Sequence, residues 1–201
     1  MDRWIFYAGV FAVTFVITAL LTPLFRKLAW KTDFLDVPKA EQHKLHGKAT
    51  PLLGGAAMFS GWIICVVGGA AAFAASGRVI MPQALRELIV ICICALAAVL
   101  LGLWDDRYPM KAGKKFAGQI LIACAIVFGG GIRISCFIDN IWISSLISIF
   151  WILFILNAIN FFDNMDGLAV GTSAIAFLFF TIAAGINGQY LIAALGACSC
   201  A

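Results

Sequence analysis

Six stretches of this chain run without a single Asp, Glu, Lys or Arg: 4–25, 49–77, 88–104, 116–132, 140–162 and 167–201. A helix needs about 20 apolar residues, and no fewer than about 17, to cross a hydrocarbon layer roughly 30 Å thick. The first, second and fifth stretches meet that length with room to spare, and the third and fourth sit near the lower limit. With 63% of its 201 residues hydrophobic and only 12% charged, the chain does not have the composition of a soluble domain. The expected fold is therefore an all-α integral membrane protein, a polytopic helical bundle. Its spans are predicted at about 4–24, 52–75, 88–104, 116–129, 144–161 and 168–186. The first should end near Pro23, and the second should open at Gly54-Gly55. The segment Ile132–Ile143 alternates moderately and reads as a small hairpin around Asp139-Asn140. Met1–Arg3 is barely basic and opens nothing resembling a cleaved signal peptide.

The last stretch is too long for one helix, and Asn187-Gly188-Gln189 interrupts it. The remainder, Tyr190–Ala201, has 12 residues, about 18 Å as a helix, which is too short to cross. It reads as a partial seventh span. Residues 1–201 are accordingly expected to be a single transmembrane domain, the N-terminal part of a longer fold. Seven cysteines are scattered mostly through apolar stretches, without a C-x-x-C pair, and read as small buried hydrophobes.

Orientation follows from the basic residues. Ten of the fourteen Lys and Arg fall in the loops after spans one and three. The positive-inside rule then places the N-terminus outside and the loops at about 25–51, 105–115 and 157–167 in the cytoplasm. Those three loops hold the residues that could carry chemistry, and all of them lie on one face.

The most unusual polar segment is NAINFFDNMDGLAVG, Asn157–Gly171, which follows an uncharged, span-length run. Asn157, Asn160 and Asp163 recur three residues apart, so on a helix they share a face, and Asp166 continues the spacing. Carboxylates at a membrane helix end need water, a partner or a cation. No Lys or Arg stands nearby in sequence, so a partner has to come from elsewhere in the chain or be a bound ion. The alternative is a solvated connector. A second acidic site, Asp105-Asp106, weighs against that alternative. Adjacent carboxylates repel unless a cation intervenes, and oxygen-only ligands suit magnesium or manganese. Lys111, Lys114 and Lys115 follow closely and are either ordinary inside-loop charges or phosphate ligands. A metal with lysines at phosphates is general apparatus for phosphoryl transfer, and no Walker-type P-loop is present. His43 and His46 suit phosphate contact, with a metal role as the other option. Gly54-Gly55 suits either helix packing or close approach of a ligand to the backbone.

Three segments together resemble the polyprenyl-phosphate N-acetylhexosamine-1-phosphate transferases (glycosyltransferase family 4). DVPKAEQHKLHGKATPLLGG, Asp36–Gly55, is similar to that family's D-x-P, R-K-x-H and P-x-x-G-G loop. LGLWDDRYPMKAGKKFAGQ, Leu101–Gln119, is similar to its G-x-x-D-D loop, and Asn157–Gly171 to its N-A-x-N-x-x-D-G-x-D-G-L-A-x-G stretch. The first loop looks more like the undecaprenyl-phosphate GlcNAc-1-phosphate group than the MurNAc-pentapeptide group. The resemblance implies transfer of a sugar-1-phosphate, GlcNAc-1-phosphate first, from a UDP-sugar to undecaprenyl phosphate with release of UMP, for cell-envelope polysaccharide. It implies a multi-pass protein of the bacterial inner (plasma) membrane with a cytoplasmic active face.

By position the resemblance makes Asp105 and Asp106 catalytic and Asn160 a ligand of Mg2+, with Mn2+ as an alternative ion. Lys44, His46, Lys115, Asp163, Asn164 and Asp166 become substrate-binding. Expected partners are the UDP-sugar, undecaprenyl phosphate and membrane lipid, not nucleic acid; a homodimer is left open, as is a one-step or two-step displacement. There are departures: His43 replaces an Arg, Asn164-Met165 replaces Gly-Leu, and Pro109 stands where a third acid often lies. The family's later G-D-x-G-S-type and His-rich loops have no counterpart within these residues, so an inactive, truncated homologue is one alternative. A membrane prenyltransferase would space its acids D-x-x-x-D, and a transporter would place them at mid-membrane; neither pattern is found.

Overall fold

The computed structural model describes residues 2–36, 49–77, 79–135, 139–163 and 167–201. They form α1 (Asp2–Lys31), β1 (Leu35–Asp36), β2 (Thr50–Pro51), α2 (Gly54–Ala75), α3 (Pro82–Arg107), α4 (Ala112–Cys124), α5 (Ile141–Phe162), α6 (Leu168–Ile186) and α7 (Tyr190–Cys200). A π-helical turn, Ala125–Gly129, extends α4. Six helices are long and apolar enough to cross a membrane, and α7 is a shorter apolar helix. The chain is a multi-pass helical membrane protein, as its charge-free stretches require.

The helix ends follow local chemistry. Pro82 opens α3, where its missing N–H costs nothing. The Asn140 side chain accepts from the N–H groups of Trp142 and Ile143 at 2.9 and 3.2 Å and so caps α5. Gly167 precedes α6 with φ of 75°, a left-handed conformation that a side chain would strain. At the end of α1, Asp33 turns left-handed (φ 55°) and the Phe34 N–H reaches back to the Ala29 carbonyl, 2.9 Å, in the manner of a Schellman cap.

Two expectations need correction, and one open reading is narrowed. α1 does not end near Pro23 but continues to Lys31. Pro23 removes only one backbone donor, whereas ending the helix within an apolar stretch would leave a whole turn of carbonyls without partners in lipid. The segment 132–143 forms no strand among its described residues. Instead the Ile134 N–H donates to Ser148 Oγ at 2.7 Å, and Ser144 Oγ donates to the Ile134 carbonyl. Buried serines on α5 thus satisfy an extended segment that has no strand partner. A two-residue antiparallel ladder forms elsewhere, pairing Leu35 with Pro51 and Asp36 with Thr50, and it closes the base of the first loop. Finally, Gly54 and Gly55 open α2, but a Cβ on either would meet nothing, so they are not a packing face.

Close packing is made by other small residues. Ala29, Ala123 and Ala193 are fully buried, and Ala57 and Ala197 nearly so, while Trp142 and Phe179 are 73% and 66% exposed. This distribution, small residues inward and large apolar ones outward, suits helices whose solvent is hydrocarbon. Helix α7 lies against α6 and α1, and α4 against α5 and α3. Tyr7, Ala184, Ala193 and Ala197 form one buried cluster, and Val66, Leu88 and Cys198 another. The six described cysteines are free thiols; Cys136 lies outside the described residues.

At the α1–α2 crossing, a Cβ on Gly61 would run into the Thr18 hydroxyl and lie 3.1 Å from the Thr18 Cα. Gly61→Val should therefore destabilise the detergent-solubilised chain by about 1–3 kcal/mol, seen as a lowered melting temperature. Gly68→Val, where a Cβ meets nothing, is the control and should melt much closer to the parent. Asn157 on α5 donates to Gln119 Oε1 on α4 at 3.0 Å. Asn157→Leu should cost about 1 kcal/mol, and the added change Gln119→Leu should recover part of the loss in a double-mutant melting series.

Candidate active site

The antiparallel course of the chain brings the last turn of α3, the first turn of α4 and the last turns of α5 to one end of the bundle. Asp105 and Asp106 lie in the last turn of α3, Lys115 in the first turn of α4, and Asn160 in the last turn of α5, which Asp163 ends. These five side chains line a single cavity of about 540 Å³. Asn157 and Asn160 both turn toward α4, as their spacing predicts.

Lys115 is the hub. Its Nζ lies 2.8 Å from Asp105 Oδ2 and donates to Asn160 Oδ1 at 3.2 Å. The other oxygen of Asp105, Oδ1, accepts from the Met110 N–H at 2.9 Å. Both Asp105 oxygens are therefore engaged, and the carboxylate is fixed at the α3–α4 turn. Asp106 is exposed and stands outside this bridge. It experiences the positive charge of Lys115 and the negative charges of Asp105, Asp163 and Asp36. The partner missing from the sequence neighbourhood of Asn157–Asp163 is thus supplied by α4.

The cavity has two characters. Its mouth is charged, and its inner walls carry Leu101, Ile122, Leu156, Ala174 and Phe177. Ile122 lies seven residues past Lys115, about 10 Å further along α4. The end of α7, at Ser199 and Cys200, also reaches this cavity. A molecule with a charged head and an apolar tail is what such a space suits.

Arg107 follows the aspartate pair and ties it to the first loop. Its guanidinium donates to the Asp33 carbonyl at 2.8 Å and lies 5.8 Å from the centre of the Phe34 ring. Asp36, one residue into the ladder, is thereby held within electrostatic reach of Asp106. Sequence reasoning missed this clamp, because a single Arg beside acids carries no distinguishing signal. It also missed Gln119 as the partner of Asn157. There the signal existed, since both are polar side chains in otherwise apolar spans, and such residues tend to pair across helices.

Of the residues assigned from sequence, Asp105, Asp106, Lys115, Asn160 and Asp163 are brought together. Lys44, His46, Asn164 and Asp166 lie outside the described residues. As for a metal, the donors at the mouth are carboxylate and amide oxygens, which is the chemistry a hard divalent cation requires. Among the described residues no three His, Cys, Asp or Glu side chains are close enough together to hold one. The oxygens of Asp105 and Asn160 that face each other are bridged by the Lys115 ammonium instead.

Comparison with known proteins bears on this arrangement. The chain is 30% identical over 202 residues to a protein of Bacillus subtilis (strain 168) named probable undecaprenyl-phosphate N-acetylglucosaminyl 1-phosphate transferase, covering 96% of this chain and 52% of the relative. It is 30% identical to the decaprenyl-phosphate N-acetylglucosaminephosphotransferase of Mycobacterium leprae (strain TN), over 80% of this chain and 41% of the relative. It is 29% identical to the phospho-N-acetylmuramoyl-pentapeptide-transferase of Bacillus cytotoxicus, over 90% and 60% respectively. The chain thus spans between about two-fifths and three-fifths of the length of these curated relatives. No solved structure is a significant match. The sequence pattern described as glycosyl transferase family 4 matches residues 88–201, which take in most of α3, all of α4 to α7, and Asp105, Asp106, Lys115, Asn160 and Asp163. With more than half of its length matched, including the helices that build the charged cavity, this chain belongs to glycosyl transferase family 4.

Proposed function

We propose that this chain carries a catalytic mouth for transfer of an N-acetylhexosamine-1-phosphate, with GlcNAc-1-phosphate as the group moved, from a UDP-sugar to undecaprenyl phosphate. An oxygen of the lipid phosphate forms a bond to the sugar-bearing phosphorus, the pyrophosphate bond breaks, and UMP leaves with the bridging oxygen. The active face is cytoplasmic, in the bacterial inner membrane, and the product serves cell-envelope polysaccharide. The observation that carries this reading is the amphipathic cavity: Asp105, Asp106, Asp163, Lys115 and Asn160 at its mouth, and apolar walls behind them.

Each part has a physical task. The apolar walls suit the polyprenyl tail, which would leave the lipid phosphate at the mouth. Lys115 supplies positive charge for phosphate oxygens, as a lysine ammonium on a flexible stem can. Asp106, exposed and free of the Lys115 bridge, is the carboxylate best placed to take a proton from the lipid phosphate. Asp105, held at both oxygens, keeps Lys115 in place. Mg2+, or Mn2+ in its stead, would be held by Asp106, Asp163 and Asn160, and it would neutralise the donor pyrophosphate. The Bacillus subtilis relative, matched over 96% of this chain, is named as an N-acetylglucosaminyl 1-phosphate transferase, which supports GlcNAc as the group moved; the muramoyl-pentapeptide in the name of the Bacillus cytotoxicus relative is the alternative.

The test is a transfer assay in detergent with UDP-GlcNAc, undecaprenyl phosphate and Mg2+, scored by lipid-linked sugar and UMP. It is run on the chain alone and on the chain co-expressed with the unmatched remainder of the Bacillus subtilis relative. Product and UMP are expected from the co-expressed pair. Absence of both from the co-expressed pair as well as from the chain alone would overturn the reading, and pyrophosphate in place of UMP would point to prenyl transfer. Asp105→Asn and Asp106→Asn should each lower turnover by about 10²-fold or more, with unchanged helical circular dichroism. EDTA should abolish transfer, and added Mg2+ or Mn2+ should restore it; full activity in EDTA would remove the metal from the proposal.

A further inference from the structure

Two carboxamides stand about one helical turn behind the charged mouth, Gln119 on α4 and Asn157 on α5. Their hydrogen bonds fix which atom of each is nitrogen and which is oxygen. The Asn157 atom 2.8 Å from the Leu153 carbonyl is the nitrogen, because a carbonyl only accepts. The same nitrogen donates to Gln119 at 3.0 Å, so the Gln119 atom that it meets is Oε1. Gln119 Nε2, with two N–H groups, is left over, and among the described residues it meets no acceptor.

Gln119 is nonetheless only 6% exposed. Among the described residues, Tyr7 Oη is the one fully enclosed side-chain nitrogen or oxygen that lacks a partner. Gln119 Nε2 is therefore not enclosed. It opens on the space that Gln119 lines, which is the amphipathic cavity and a second one of about 470 Å³ that shares Lys115, Gln119 and Asn160 with it. A donor left without a partner at such depth calls for an acceptor from outside the chain.

Its place says which acceptor. Lys115 and Gln119 are four residues apart on α4, so they share a face with their Cβ atoms about 6 Å apart. The Lys115 ammonium gives two of its three protons to Asp105 and Asn160 and keeps one. Immediately beyond Gln119 the walls turn apolar, with Ile122, Leu101 and Leu156. Gln119 thus stands on the boundary between the charged mouth and the apolar walls. The group that meets a donor on that boundary is the one that joins a polar head to an apolar tail, and in a prenyl phosphate this is the phosphate. A nucleotide sugar is polar throughout and belongs to the mouth.

We propose that Gln119 is a substrate-binding residue: its Nε2 donates to a phosphate oxygen of the polyprenyl phosphate acceptor, one turn behind Lys115, and so sets how deep the head group sits. This rests on the acceptor named under the proposed function and adds the residue that reads its phosphate from the tail side.

The experiment measures binding of undecaprenyl phosphate, undecaprenol and UDP-GlcNAc to the purified full chain in detergent, each from the rise in melting temperature with ligand. The quantity read is the preference for undecaprenyl phosphate over undecaprenol, which cancels the contribution of the tail. Gln119→Met and Gln119→Glu should each lower that preference about tenfold or more, with undecaprenol and UDP-GlcNAc bound as by the parent. Gln119→Glu keeps an oxygen for Asn157 and lacks only the N–H groups. Asn157→Leu breaks the same bond between α4 and α5 but leaves the Gln119 donors, and it should keep the preference of the parent. A parent-like preference in either Gln119 variant, or an equal loss in Asn157→Leu, would overturn the contact and leave the acceptor intact. Weakened UDP-GlcNAc binding with undecaprenyl phosphate unaffected would overturn the assignment to the acceptor. A parent chain that binds undecaprenyl phosphate no better than undecaprenol would overturn the contact together with the acceptor in the proposed function.

Discussion

Hydrocarbon neither donates nor accepts hydrogen bonds, and everything in this structure follows from that. Inside the bilayer each polar group has to find its partner within the chain. The buried hydroxyls show the local solution: Thr14, Thr181, Ser145 and Ser148 donate to carbonyls of their own helices four residues back. Where the backbone leaves regular helix, a side chain takes over, as Ser144 and Ser148 do for the extended segment at Ile134. Charged groups have no such local solution. They lie at the helix ends, most of them at one end of the bundle, where Lys115 satisfies Asp105 and Asn160 across α3, α4 and α5. The same constraint that drives helices through the membrane therefore concentrates reactive groups at its edge.

That concentration gives the site its order. Two adjacent aspartates of identical chemistry come to differ because of what surrounds them. Asp105 meets the Met110 N–H and the Lys115 ammonium, and it becomes part of the framework. Asp106, next in sequence, stands outside that bridge, among the like charges of Asp105, Asp163 and Asp36 that Lys115 opposes. Arg107, next again, faces away to the Asp33 carbonyl and fastens the first loop. Three consecutive residues at a helix end thus serve as anchor, reactive group and clamp.

The spans were legible because their signal is long and redundant: twenty residues without a charge leave few alternatives. The meeting of Asp105, Asp106, Lys115, Asn160 and Asp163 at one mouth was legible too, since the inside-facing loops and the spacing of Asn157, Asn160 and Asp163 locate them. What escaped were features decided by single contacts. Pro23 reads as a helix end by local propensity, but membrane solvation overrides it. The alternation of Ile132 to Ile143 has the period of a strand, yet no neighbouring strand exists among the described residues, and serines on α5 take the hydrogen bonds. Gly54-Gly55 looks like a packing motif because glycine pairs often are, while glycines that do admit a neighbour, such as Gly61 and Gly196, stand inconspicuously within helices. Pairings such as Asn157 with Gln119 depend on helix rotation, which sequence periodicity fixes only coarsely in helices that are apolar all round.

The inward placement of small residues has a consequence for how such a chain diverges. An outward Leu, Phe or Trp packs on no other described part of the chain, and where lipid surrounds it the bilayer reads little more of it than its hydrophobicity. Exchanges among large apolar residues there are close to neutral, and drift can run through most of the chain's length. An inward Ala or Gly such as Ala193 or Gly196 has no such freedom, because any growth meets a neighbouring helix. The scaffold is thus specified by a minority of its positions, the smallest side chains and the polar ones. Two chains agreeing at fewer than a third of their residues can then share the same bundle, provided that the agreement falls on that minority.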